Sequence, residues 1–140
     1  MNSLKTILLL TFVAIFTFSC NNDDDDNSDN VTLENQEKIL GTWQFTSSTT
    51  NGVLDTDNDS CLTQFTVTFN ETQVTTIDKY GPNCEMTDTY INTYSINGNT
   101  ISITDEGDTY SLDIVTLNDT TLTISYTEDG DVYTETYAKI

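Results

Sequence analysis

The sequence contains no histidine and no arginine, and its 4 lysines stand against 23 Asp and Glu, a net charge of −19 over 140 residues. Each absence removes a class of chemistry. Without His there is no Ser-His-Asp or Cys-His machinery of the usual kind and no imidazole-ligated metal. Without Arg there is no bidentate clamp for phosphoryl or carboxylate groups. A surface of this sign does not suit phosphate backbones, which basic surfaces bind, so nucleic acid is excluded as a partner. The expectation is a non-enzyme with no cofactor. Alanine is scarce as well, 2 residues against 28 Thr, which favours β-branched strand formers over the best helix former. The length suits one small domain with an appendage.

The appendage comes first. Residues 1–19 carry a single positive charge at Lys5, an apolar run over 7–18 and a small Ser19 directly before Cys20. That run is too short to span a hydrocarbon core of about 30 Å as a helix, so it reads as a cleaved secretory signal. Thr17-Phe18-Ser19-Cys20 resembles a bacterial lipobox, which implies diacylation of the Cys20 sulfur and cleavage before it. Two or three acyl chains would anchor the chain to a membrane. Residues 21–30 hold no apolar side chain, and the acidic run extends itself by repulsion, so 20–31 are expected to form a disordered tether. An acidic run behind a lipidated Cys resembles the export signal of Bacteroidetes lipoproteins. It implies the outer membrane with the domain exposed at the cell surface, the periplasmic face being the alternative.

The domain expected over 32–140 opens with a short helix over 32–40, capped by Thr32, with acids early and Lys38 late. From Gly41 the pattern switches to short alternating runs. Eight strands are expected, over 42–50, 62–70, 73–80, 88–96, 100–104, 109–117, 121–127 and 132–139. The alternation is clearest in Phe65-Thr66-Val67-Thr68-Phe69 and in Leu122-Thr123-Ile124-Ser125-Tyr126. Turn residues such as Asn97-Gly98 and Asp129-Gly130 separate them, so neighbours in sequence should pair antiparallel. Such a series closes into an up-and-down barrel or folds into two packed sheets. Closure removes edges that Thr-rich strands leave poorly guarded, which favours an eight-stranded antiparallel β-barrel with a short N-terminal helix.

Leu40-Gly41-Thr42-Trp43, after the helix and opening the first strand, resembles the Gly-x-Trp signature of lipocalins. With the lipobox, the acidic tether, two central cysteines and eight strands, residues 33–140 resemble the lipocalin-like lipoproteins of Bacteroidetes. The resemblance implies that Trp43 plugs the closed end of the barrel. It also implies that Lys139 lies across the indole as a cation over an aromatic ring, a contact worth about 0.5 to 2 kcal/mol.

Candidate sites follow. Cys61 and Cys84 form an even pair in an exported chain and are expected to be disulfide-bonded, stapling the ends of the hairpin they flank. Asp55, Asp57 and Asp59 place carboxylates at alternate positions, as hard cations prefer. Counting from Asp55, the loop lacks the Gly at position six and the Glu at position twelve of a calcium-binding loop, so it reads as a solvated loop with Ca²⁺ as the weaker alternative. The aromatic residues Phe65, Phe69, Tyr90, Tyr94, Tyr110 and Tyr126 either fill the core or line a cup with hydroxyls beside apolar faces. Two functions remain. A monomeric, lipid-anchored barrel holds a small hydrophobic or amphipathic molecule, entering at the end that bears loop 51–60, where the acids repel anions. Alternatively the barrel is filled and the protein is a structural or interaction lipoprotein of the surface.

Overall fold

The computed structural model describes residues 26–56 and 60–140, with side chains placed from residue 28. Helix α1 (Asp26–Lys38) precedes nine strands: β1 (Gly41–Thr50), β2 (Val53–Leu54), β3 (Thr66–Phe69), β4 (Gln73–Tyr80), β5 (Met86–Asn97), β6 (Thr100–Asp105), β7 (Asp108–Leu117), β8 (Thr121–Glu128) and β9 (Asp131–Lys139). A short 3-10 turn, Leu62–Gln64, leads into β3. The order is β2-β1-β3-β4-β5-β6-β7-β8-β9, and β1 also pairs with β9. Eight strands therefore close on themselves, all antiparallel, and the two-residue β2 hangs on the outer end of β1. Up-and-down order follows from the short turns, since neighbours joined by tight turns have little choice but to pair.

Alternation sorts the side chains. In β6 Ile101 and Ile103 are buried between half-buried hydroxyl residues, and in β8 Leu122 and Ile124 repeat the pattern. Ile39, Trp43, Ile101 and Leu122 are the most deeply buried side chains of a core that also takes in Phe69, Val74, Ile96, Ile114 and Tyr137. Two irregularities interrupt the ladder, between Phe45 and Ser47 on β1 and between Ile114 and Thr116 on β7. Each admits one extra residue and bends its strand, which barrel closure needs.

Three expectations require correction. The helix begins at Asp26 rather than at residue 32, so residues 26–31 of the expected disordered tether are helical. Acids at the positive end of a helix dipole are stabilising, and the helix is docked rather than isolated. Its Thr32 Oγ1 accepts from the Gly98 amide at 2.7 Å, and Asn35 Nδ2 donates to Gly98 O at 2.8 Å and to Asn99 Oδ1 at 3.1 Å. The expected second strand, 62–70, is strand only over Thr66–Phe69, its first residues being the 3-10 turn. The loop after β1 also holds the short strand β2, paired through Thr49–Leu54 and Thr50–Val53.

Candidate functional site

The two ends of the barrel differ. The lower end carries the β3–β4, β5–β6 and β7–β8 turns and is covered by α1. Trp43 is wholly buried there, and its Nε1 donates to Ile39 O at 2.7 Å. Lys139 Nζ sits 4.9 Å from the indole centroid and donates to Lys38 O at 3.1 Å, so one ammonium serves the ring and the negative end of the helix together. Gly41 is required at the crossing: its φ is +122°, and a Cβ there would meet Lys139 Cε at 2.9 Å. This end is sealed.

The upper end is open. It bears loop 51–56, the β4–β5 loop and the tips of the β6–β7 and β8–β9 hairpins. Below the rim lies a cavity of about 480 Å³. Phe69, Val74 and Leu122 form its floor, and Val67, Ile103, Leu112 and Ile124 rise around it. The reason for the opening is in the ladder. The pairing of β7 with β8 runs from Leu117–Leu122 up to Asp113–Ser125 and stops there, while β7 continues against β6 and β8 against β9. The two strands diverge above that point. Tyr110, Ser111 and Leu112 on one lip and Tyr126, Thr127 and Glu128 on the other all line the cavity, which reaches into the slot between them.

Two carboxylates line this space, Glu128 at the lip and Glu135 further in. Glu135 lies on β9 on the same face as Tyr137 and Tyr133 and lines the cavity. Tyr126 Oη donates to its Oε1 at 3.2 Å, and Tyr137 Oη donates to its Oε2. Tyr126 also stacks on Tyr133, ring centroids 5.3 Å apart. Burial, reinforced by the Glu135 charge, pushes the Tyr126 phenol up to about 12 and raises that of Tyr137 as well. Both phenols therefore stay protonated at neutral pH and remain donors to Glu135.

The expected site residues divide. Phe65, Phe69, Tyr110 and Tyr126 line the cavity. Tyr90 does not: the β4–β5 hairpin rises past the last β5–β6 pair, Thr93–Thr104, and leaves Tyr90 52% exposed. Tyr94 instead packs edge-on against Phe69 at 5.1 Å, donates to Asn70 O at 2.6 Å, and lines a groove beside α1 with Leu33 and Gln36. Cys61 and Cys84 are bonded, Sγ–Sγ 2.07 Å, and tie the chain ahead of the 3-10 turn to the β4–β5 loop at the rim. The Asp55 carboxylate accepts from Ser48 Oγ at 2.8 Å and Thr50 Oγ1 at 3.0 Å, whereas Asp57 and Asp59 lie outside the described residues. Cys20 lies outside them too. Among the described residues no group of three His, Cys, Asp or Glu is placed to hold a metal ion. Glu135 and Tyr137 were not among the expected residues. The signal for them was Tyr133-x-Glu135-x-Tyr137, an acid at strand period on an aromatic face.

Residues 39–124 match the sequence profile of the lipocalin-like domain. Among solved structures, a lipocalin-like protein from Bacteroides uniformis shares the fold at 16% identity, TM-score 0.57, over 74% of this chain and 99% of the other. A protein from Bacteroides eggerthii does so at 11% identity, TM-score 0.56, over 73% and 99%. No curated protein matches the chain.

Proposed function

We propose a role in holding a small molecule, from the premise that the chain belongs to the lipocalin-like domain family. The barrel takes up a small hydrophobic or amphipathic molecule and does no chemistry on it. The observation that carries this reading is the cavity of about 480 Å³, apolar at its floor, open at one end and sealed by Trp43 at the other. Its size falls within the range of about 300 to 1,000 Å³ common to ligand pockets. A filled barrel would hold no void larger than a few waters.

In this reading the sequence before the barrel supplies the address. Cys20 carries the acyl chains, the acidic stretch behind it holds the domain off the outer membrane, and the monomeric barrel opens at the cell surface. Mass spectrometry of the membrane fraction should find acylated Cys20 as the first residue, and a soluble product starting elsewhere would overturn the anchor.

Binding is tested with N-phenyl-1-naphthylamine, a neutral probe that brightens in apolar surroundings. The expected result is saturable brightening at one probe per chain, abolished in Thr76→Trp, whose indole would occupy the cavity from its wall. No brightening, or brightening that Thr76→Trp leaves unchanged, would overturn the reading.

A further inference from the structure

Among the described residues, the charged side chains that line the cavity are Glu128 at its lip and Glu135 within it, and no lysine joins them. Lys38 pairs with Glu34 on α1, Lys139 is engaged at the sealed end, and Lys79 stands on β4 outside the cavity lining. A carboxylate in a partly buried apolar setting is costly unless something cationic or hydrogen-bonding meets it, and here two phenols meet it from the side. Their hydroxyl hydrogens are committed to Glu135, so the lone pairs of both phenol oxygens, together with the remaining ones of the carboxylate, are acceptors. The polar part of the cavity is therefore rich in acceptors and negative in sign. The Tyr126 ring, which lines the cavity and is held by stacking on Tyr133, adds an electron-rich surface, to which cations are attracted.

Resting on the binding reading above, we propose that the ligand is a cationic amphiphile, an amine with an apolar body. Its ammonium pairs with Glu135 between Tyr126 and Tyr137, and its hydrocarbon part lies against Phe69, Val74 and Leu122. An ammonium offers up to three N–H donors to that acceptor set and cancels the interior charge. A carboxylate or phosphate head would meet Glu135 and Glu128 with the same sign and find no cation, and a neutral alcohol would satisfy the acceptors with one donor. The net charge of −19 acts in the same direction at longer range, and salt screens that part while leaving the pairing inside the cavity.

The test displaces N-phenyl-1-naphthylamine with three eight-carbon ligands at pH 7: n-octylammonium, n-octanol and n-octanoate. In the unmodified chain the expected order of affinity is ammonium, then alcohol, then carboxylate. Glu135→Gln should weaken the ammonium about tenfold, as loss of a charge-assisted hydrogen bond does, while changing the alcohol less than about twofold. Asp119→Asn, a charge removed at the sealed end, should leave all three unchanged. Probe binding by Glu135→Gln reports that the variant is folded, and the order among ligands in the unmodified chain needs no variant. Equal displacement by all three, tightest binding of the octanoate, an ammonium affinity insensitive to Glu135→Gln, or displacement by none would overturn the amine assignment while the cavity stands. Failure of the probe itself to bind would overturn the cavity reading first.

Discussion

Tyr126 and Tyr137 converge on one carboxylate from adjacent strands, and register makes this possible. Tyr137 pairs with Leu122, Glu135 with Ile124 and Tyr133 with Tyr126, so alternate residues of β8 and β9 share the inner face. The consequence can be read by titration. Tyr126 is pushed from 10.0 to about 12 by burial and by Glu135, so the absorbance difference between the protein and its Tyr126→Phe variant should show almost no phenolate at pH 10 and rise with a midpoint near pH 12. Because the folded value lies above the ordinary one, the stability due to this phenol is fully present below about pH 10 and is lost as the pH climbs through about 12. Glu135→Gln should bring the ionisation down toward the ordinary range. A Tyr126 that ionises at the ordinary value in the unmodified chain would contradict the hydrogen bond to Glu135.

Among the elements, the β4–β5 hairpin depends most on covalent help, because it rises above its neighbours: β3 pairs with β4 only to Ile77, and β6 pairs with β5 only from Thr93. The Cys61–Cys84 bridge, across a sequence separation of 23, ties this hairpin to the chain that enters β3. Replacing both cysteines with Ser should lower the unfolding free energy by about 3 kcal/mol in the chain-entropy account, read from urea unfolding, with thermal melts staying cooperative. A loss under about 1 kcal/mol would mean that the loop is already ordered without the bridge. The strands themselves were legible because alternation and turn residues are local properties: all eight barrel strands fall within a few residues of where periodicity puts them. The start of α1 was not, since the helix is held by long-range contacts, from Thr32 and Asn35 to Gly98 and Asn99, across sequence separations of 63 to 66. The divergence of β7 from β8 was likewise hidden, being a property of how strands shear around a closed barrel. Four of six aromatic candidates reach the cavity. Period two alone could not tell that Tyr90 and Tyr94 miss it, because the hairpin height and the helix position decide that.

Across the molecule, one end is sealed and the other is left open. Gly41, Trp43, Lys139 and the end of α1 close the bottom through contacts that the Gly-x-Trp pattern and the final lysine announce in sequence. The open end is made of divergent strands, a disulfide-tied hairpin and acids. The central claim is that the space between holds a small molecule, and methyl NMR titration with N-phenyl-1-naphthylamine tests it most directly. The account predicts that methyl signals of Ile103, Leu112, Leu122 and Ile124 shift and saturate at one probe per chain, while those of Ile39 at the sealed end and Ile91 on the projecting hairpin stay in place. Shifts confined to surface methyls such as those of Ile91 and Val53, with the interior set unmoved, would contradict it.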